Sequence, residues 1–126
     1  MFEVRRATLE DVDSIVKITQ EAFEKYIKLA GIQDTPALHE TREQVIKDID
    51  TKIVYVAYIN NQVVGSMRIE LLDKETAYLS RFGVNTEFQN LGIGKSMMNS
   101  LDMELAELKV KRVMLHTASK ATSLVR

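Results

Sequence analysis

The chain is expected to fold as an α+β domain, a layered arrangement in which helices flank a sheet. Residues 53–59 and 62–72 are two runs rich in β-branched and aromatic side chains, separated by Asn60-Asn61. That pattern is a hairpin. Ile93, Met97, Leu101, Leu105 and Leu108 recur at helical spacing, so residues 93–108 form an amphipathic helix. Between an apolar strand and this helix lies Gln89-Asn90-Leu91-Gly92-Ile93-Gly94-Lys95, a glycine-bearing turn.

The elements follow in order. Residues 2–6 form a short strand. Thr8 then serves as an N-cap, with Asp11 three residues on in the manner of a capping box. A helix from Leu9 buries Val12, Ile15, Ile18 and Ala22, and Tyr26 and Leu29 prolong that face with a break near Phe23, until Gly31 supplies a C-terminal stop. Residues 31–36 are a loop, and Leu38, Arg42, Val45, Ile46 and Ile49 trace a second helix. The hairpin comes next, with Asn60-Asn61 supplying the positive-φ turn. Asp73-Lys74-Glu75 is a polar turn into a strand over residues 76–84. After the long helix, residues 111–117 alternate Val113 and Leu115 with Arg112, Met114 and His116, as a strand does. Residues 118–126 are expected to begin another helix.

Composition narrows the function classes. At 126 residues and 14.4 kDa, residues 1–126 are expected to be a single domain with a real core. No apolar run approaches the roughly 20 residues that span a membrane, and the first residues lack the apolar core of a signal peptide, so a cytoplasmic location is expected. There is no cysteine, hence no disulfide framework and no thiolate nucleophile. His39 and His116 are too far apart in sequence for a local metal motif, and no metal is expected. With 17 basic and 18 acidic residues the net charge is -1, which gives no footprint for nucleic acid. Lys109, Lys111 and Arg112 cluster where the long helix ends and complement its dipole.

The glycine turn is where chemistry is legible. The first N–H groups of a helix have no intrahelical partner and the macrodipole is positive there, so an anion can bind main chain directly if no Cβ obstructs it. Gly92 and Gly94 remove those Cβ atoms. A P-loop would need a glycine at Gln89, ahead of Gly94-Lys95-Ser96, and would bind ATP with magnesium. A dinucleotide fingerprint would need a third glycine where Met97 stands. The turn resembles instead the Gln/Arg-x-x-Gly-x-Gly/Ala pattern of the GNAT superfamily of acetyl-CoA-dependent N-acetyltransferases. The likeness covers most of the chain: residues 4–11 resemble the family's first strand and helix start, residues 60–65 its hairpin, and Phe82-Gly83-Val84 the end of its fourth strand.

The resemblance implies a GNAT-like mixed, mainly antiparallel sheet flanked by helices, lacking here the C-terminal helix and the last two strands, as in a domain truncated at its C-terminus or one whose sheet is completed by another chain. The Asn that contacts CoA and the Tyr that protonates the leaving thiolate in the family have no counterpart; Ala121, Thr122 and Ser123 stand near the place of the Asn. CoA is expected between the fourth and fifth strands, where a bulge opens a crevice, with Gly83 suited to that irregularity. Phe82 and Val84 would offer backbone groups to the pantetheine arm, and Gln89, Asn90, Leu91, Gly92, Ile93, Gly94 and Lys95 would hold the pyrophosphate.

The implied reaction moves an acetyl group from acetyl-CoA to a primary amine of a small molecule or peptide by direct attack. The helical region after residue 31 would help to build the acceptor site. In the histone-modifying branch a Glu on the fourth strand acts as base, and the matching position here is Tyr78, so a water relayed by Tyr78 or Ser80 is the candidate route, with sheet packing the competing role for Tyr78. Glu70 and Glu75 are further candidates for the base. The alternative is a non-catalytic CoA-binding module of regulatory or structural use. Pairing into a homodimer is compatible with the family; a membrane or nucleic-acid partner is not expected.

Overall fold

The computed structural model describes residues 2–31, 39–88, 91–116 and 121–125. Six strands form one sheet in chain order: β1 (Phe2–Arg6), β2 (Ile53–Ile59), β3 (Gln62–Leu71), β4 (Thr76–Val84), β5 (Arg112–His116) and β6 (Ala121–Val125). Among the described strands only β4 and β5 run parallel. That follows from connectivity, since the segment between them contains helix α3 (Ile93–Glu107) and crosses over the sheet, whereas β2–β3 and β3–β4 are joined by short turns. In the β2–β3 turn Asn60 and Asn61 have φ of 48° and 67°, the left-handed conformation that a two-residue hairpin turn requires.

Side-chain alternation on β2 divides the core into two layers. Val54 and Val56 pack with Val12 and Ile15 of α1 (Val12–Ala30) and Val45 of α2 (Arg42–Thr51). Ala57, together with Met67, Ile69, Ala77 and Leu79 of the neighbouring strands, packs with Ile93, Met97, Leu101 and Leu105 of α3. Helices α1 and α2 thus cover one face and α3 the other. Burying a side chain of this size contributes about 1.5–3 kcal/mol, which makes the two apolar layers the main source of cohesion.

The helix ends follow the local rules. Thr8 Oγ1 accepts from Glu10 N at 3.3 Å and Asp11 Oδ2 accepts from Thr8 N at 2.8 Å, completing the capping box. Gly31 closes α1 at φ 71°. Three expectations are corrected. Residues 9–11 form a 3-10 turn and the α-helix runs unbroken from Val12 to Ala30, with no break at Phe23, because no proline or glycine interrupts it. Residues 121–125 form a strand rather than the start of a helix: Arg112 pairs with Val125 and His116 with Ala121, so β6 occupies the backbone donors and acceptors along the edge of β5.

Candidate functional site

Strand β4 organises the site through three local features. Its parallel ladder with β5 begins at Thr76–Arg112 and ends at Tyr78–Met114, although β4 continues to Val84 and β5 to His116. Beyond Tyr78 the described residues of the two strands are no longer paired, as a crevice between them would require. Across from it, the β3–β4 register shifts: Ser66 pairs with Gly83 and Arg68 with Ser80, so Arg81 and Phe82 stand opposite the single residue Met67. This is a bulge, in which one extra residue falls out of the ladder and bends the strand.

The bulge corrects the expectation placed on Gly83. The residue in the left-handed region is Arg81, at φ 52°. Gly83 is needed for a different reason, close approach: a Cβ there would stand 2.8 Å from Ala22 Cβ of α1. Phe82 turns to the other face, where its ring lies 3.5 Å from the position of a Cβ on Gly94. Bulge and helix start are therefore packed together.

Past the 3-10 turn Thr86–Phe88, Gly92 caps α3 at φ 83° with nothing within 4 Å of where its Cβ would be. The first bond of the α3 ladder is Ser96 N to Gly92 O at 3.0 Å, so the N–H groups ahead of Ser96 lie before the ladder begins. Among the described residues no side chain caps them. An open, uncapped helix N-terminus without Cβ obstruction at Gly92 fits a bound anion, a phosphate group among them. Lys95 is exposed at this end and Leu91 is exposed beside it, while Ile93 is buried in the core. Gln89 and Asn90 lie outside the described residues. Phe82 and Val84 are half-buried on the strand that leads into this turn.

On the α1–α2 face of the sheet lies a buried ionic network that sequence reading missed. Arg68 of β3, 1% exposed, donates through Nη1 to Glu40 Oε2 at 2.5 Å and to Asp48 Oδ2 at 2.8 Å, and through Nη2 to Thr19 Oγ1 at 3.3 Å and to Glu40 Oε1. Its Nε has no hydrogen-bond partner. Arg81 donates through Nε to Glu40 Oε2 at 3.4 Å, and Lys52 lies 3.5 Å from Asp48. Burial works against the charge on Arg68, but the hydrogen bonds and charge of Glu40, then of Asp48, outweigh it and raise its pKa further above the ordinary range. The available signal was a charged residue inside the apolar run of β3; its partners, 28 and 20 residues away in sequence, carried none.

The other predicted residues are distributed as follows. Tyr78 holds the last rung of the β4–β5 ladder, and Ser80 pairs with Arg68; both are half-buried. Alternation places them on the same face as Arg68. Glu70 pairs with Tyr78 across the β3–β4 ladder. Glu75 is in the turn before β4, at the opposite end of that strand from the bulge, where it pairs with Lys111 at 2.9 Å. Surface depressions at that turn, lined by Leu71, Lys74 and Lys109, and on α2, lined by Leu9, Ile46 and Lys47, also lie outside this region. Among the described residues, no helix is long and apolar enough to cross a membrane.

A family model described as the acetyltransferase (GNAT) family matches residues 13–125. No curated protein matches the sequence at a significant level. Solved structures resemble the fold closely. A PaiA N-acetyltransferase from Thermoplasma acidophilum, in complex with coenzyme A, superposes with a TM-score of 0.81 at 16% identity over 93% of this chain and 79% of its own. An acetyltransferase of the GNAT family from Staphylococcus aureus gives 0.75 at 16% over 93% and 74%. A predicted acetyltransferase with acetyl-CoA from Clostridium acetobutylicum gives 0.71 at 18% over 94% and 82%. At such identities these likenesses establish the fold.

Proposed function

We infer that this chain, which belongs to the acetyltransferase (GNAT) family, moves an acetyl group from acetyl-CoA to a primary amine by direct attack. One observation supports this reading most: along β4 the end of pairing with β5 at Tyr78, the bulge at Arg81–Phe82 and the glycine-capped start of α3 follow one another in a single path. A long thiol ester with a pyrophosphate at one end suits such a path. The α3 terminus, with Gly92, Ile93, Gly94 and Lys95 and the adjoining Gln89, Asn90 and Leu91, would take the pyrophosphate. The backbone of Phe82, Gly83 and Val84 would take the pantetheine arm.

The chemistry follows from what the bulge offers. A residue that falls out of the ladder leaves a main-chain group unpaired, and an N–H there would stabilise the oxyanion as the amine nitrogen bonds to the thioester carbon. Collapse then breaks the carbon–sulfur bond and leaves the electron pair on sulfur, and the proton that the attacking nitrogen sheds in becoming an amide ends on the departing thiolate. The amine must first lose a proton, since its pKa of roughly 10 keeps it mostly protonated at neutral pH. Tyr78 and Ser80, on the face opposite α3, would relay that proton through water, while Glu70 across from Tyr78 is the nearer of the two candidate carboxylates.

The test is release of free thiol from acetyl-CoA in the presence of a broad panel of primary amines, with calorimetric binding of acetyl-CoA measured alongside. Amine-dependent thiol release supports the transferase. Tight acetyl-CoA binding with no release across the panel would establish the non-catalytic module in its place.

A further inference from the structure

We propose that Arg81 recognises the acceptor, and that the acceptor amine carries a carboxylate, as an amino acid does. The proposal rests on the transferase reading above and adds the substrate class.

Its basis is a charge surplus with a fixed location. Among the described residues, the buried network holds three cations, Arg68, Arg81 and Lys52, against two carboxylates, Glu40 and Asp48, which leaves one positive charge in excess. Arg68 bonds both carboxylates through its Nη atoms and is enclosed with them: its side chain is 1% exposed, and those of Glu40 and Asp48 are 1% and 4% exposed. The surplus therefore belongs to the outer ends, Lys52 and Arg81, whose side chains are 24% and 28% exposed. Of the two, Arg81 lies on β4, three residues past the last β4–β5 rung at Tyr78.

Arg81 is also only partly used. Both oxygens of Glu40 already bond Arg68, and Glu40 Oε2 reaches Arg81 Nε at 3.4 Å, longer than the roughly 2.7–2.9 Å of a strong charge-assisted bond. No described residue accepts from the Nη atoms of Arg81. A guanidinium tethered at Nε presents its outer N–H groups as a fork, the geometry that matches a carboxylate. The backbone is committed to this placement as well, since a left-handed conformation is costly for a residue with a Cβ and a glycine would adopt it freely.

The face decides which anion is meant. Phe82 packs beneath Gly94 at the start of α3, whereas Arg81 bonds the Glu40–Arg68 network on the α1–α2 face. The two successive residues point to opposite sides of the sheet, so Arg81 is turned away from the helix terminus assigned to the pyrophosphate. A carboxylate on Arg81 would place the amine of the same molecule beside the bulge. The same surplus charge would disfavour acceptors that carry further ammonium groups near the reacting amine.

The test uses the full chain, acetyl-CoA, and the standard amino acids each matched with its decarboxylated amine, followed by thiol release and by calorimetric binding to the CoA complex. The expected result is a preference of about tenfold or more, in kcat/KM or in affinity, for the carboxylate-bearing member of at least one pair. Arg81→Met should abolish that preference and Arg81→Lys should keep part of it, with acetyl-CoA affinity and melting temperature close to those of the unaltered chain. If Arg81→Met is too unstable to purify, Arg81→Gln serves the same comparison. Equal or better use of the decarboxylated members, binding of neither member, or loss of acetyl-CoA affinity in the Arg81 variants would overturn the proposal. Arg81-dependent binding of the carboxylate member without thiol release would uphold the anion site and refute the transferase reading, so the two failures are separable.

Discussion

Gly83 of β4 lies directly against Ala22 of α1, where a Cβ on the glycine would stand 2.8 Å from the Ala22 Cβ. Both partners are short and belong to a packed layer, so neither can rotate away. Gly83→Ala is expected to destabilise the fold by about 1–3 kcal/mol, the usual cost of overpacking. Ala22→Gly in the same chain should recover part of that loss despite its own helix-propensity cost of about 1 kcal/mol. Denaturant unfolding of the two single variants and the double variant measures the coupling; simple additivity would mean that the contact does not limit the fold.

The helix terminus separates into two different glycine requirements. At Gly92, φ of 83° with open space around the Cβ position predicts that Gly92→Ala costs about 1 kcal/mol through backbone strain alone. At Gly94 an added methyl meets Phe82 at an ordinary 3.5 Å, so Gly94→Ala should leave stability nearly unchanged. A bulkier Gly94→Val should weaken acetyl-CoA binding while the chain remains folded. Calorimetric titration with unchanged affinity for Gly94→Val would remove the pyrophosphate assignment.

Removing Arg68 alone strands Glu40 and Asp48 without their main cation in a buried site. Arg68→Met is expected to cost about 3–5 kcal/mol, the scale for breaking a buried pair from one side. Neutralising the carboxylates as well, with Glu40→Gln and Asp48→Asn, should return a substantial part of that stability. A triple variant no more stable than Arg68→Met would show that the penalty is not electrostatic.

Acid should weaken the packing of both helical layers. Asp11 is buried, which acts to raise its pKa, but the hydrogen bonds from Arg5 and from Thr8 N, with the Arg5 charge, hold it below its ordinary value. Glu104 on α3 is likewise lowered, first by the hydrogen bond from Tyr55 at 2.7 Å and then by Arg6. A carboxylate with a depressed folded pKa contributes stability above its unfolded pKa, and loses it as pH falls through the folded value. Stability is thus expected to be flat near neutrality and to decline below about pH 4. Asp11→Asn and Glu104→Gln should be less stable at pH 6 yet show a shallower decline, which urea unfolding across this range would read. An unchanged slope in both variants would contradict the assignment.

Lys109, at φ 61° just past α3, is the one other lysine or arginine among the described residues in the left-handed region. Its N–H bonds Ala106 O at 3.2 Å, so the conformation terminates the helix, a task that glycine performs without Cβ strain. Lys109→Gly should raise stability by up to about 1 kcal/mol. A lower melting temperature in that variant would show that the lysine side chain contributes more than the strain it incurs.

What the sequence determined by itself was everything governed by neighbours along the chain: the Thr8–Asp11 capping box, the Gly31 stop, the Asn60-Asn61 turn, the strand alternation, and a glycine-capped helix start at Gly92. Those features depend on backbone φ, hydrogen-bond partners within a few residues, and side-chain period, all of which are local. Tertiary structure decided where β4 parts from β5, that the bulge falls on Arg81 rather than Gly83, and that residues 121–125 pair as a strand. It also decided that Arg68, a charge set among the apolar residues of β3, would gather Thr19, Glu40 and Asp48 from three separate segments. Register shifts and buried ion pairs depend on which strands and helices meet, and that is settled by burial across the whole sheet rather than by local chain preference.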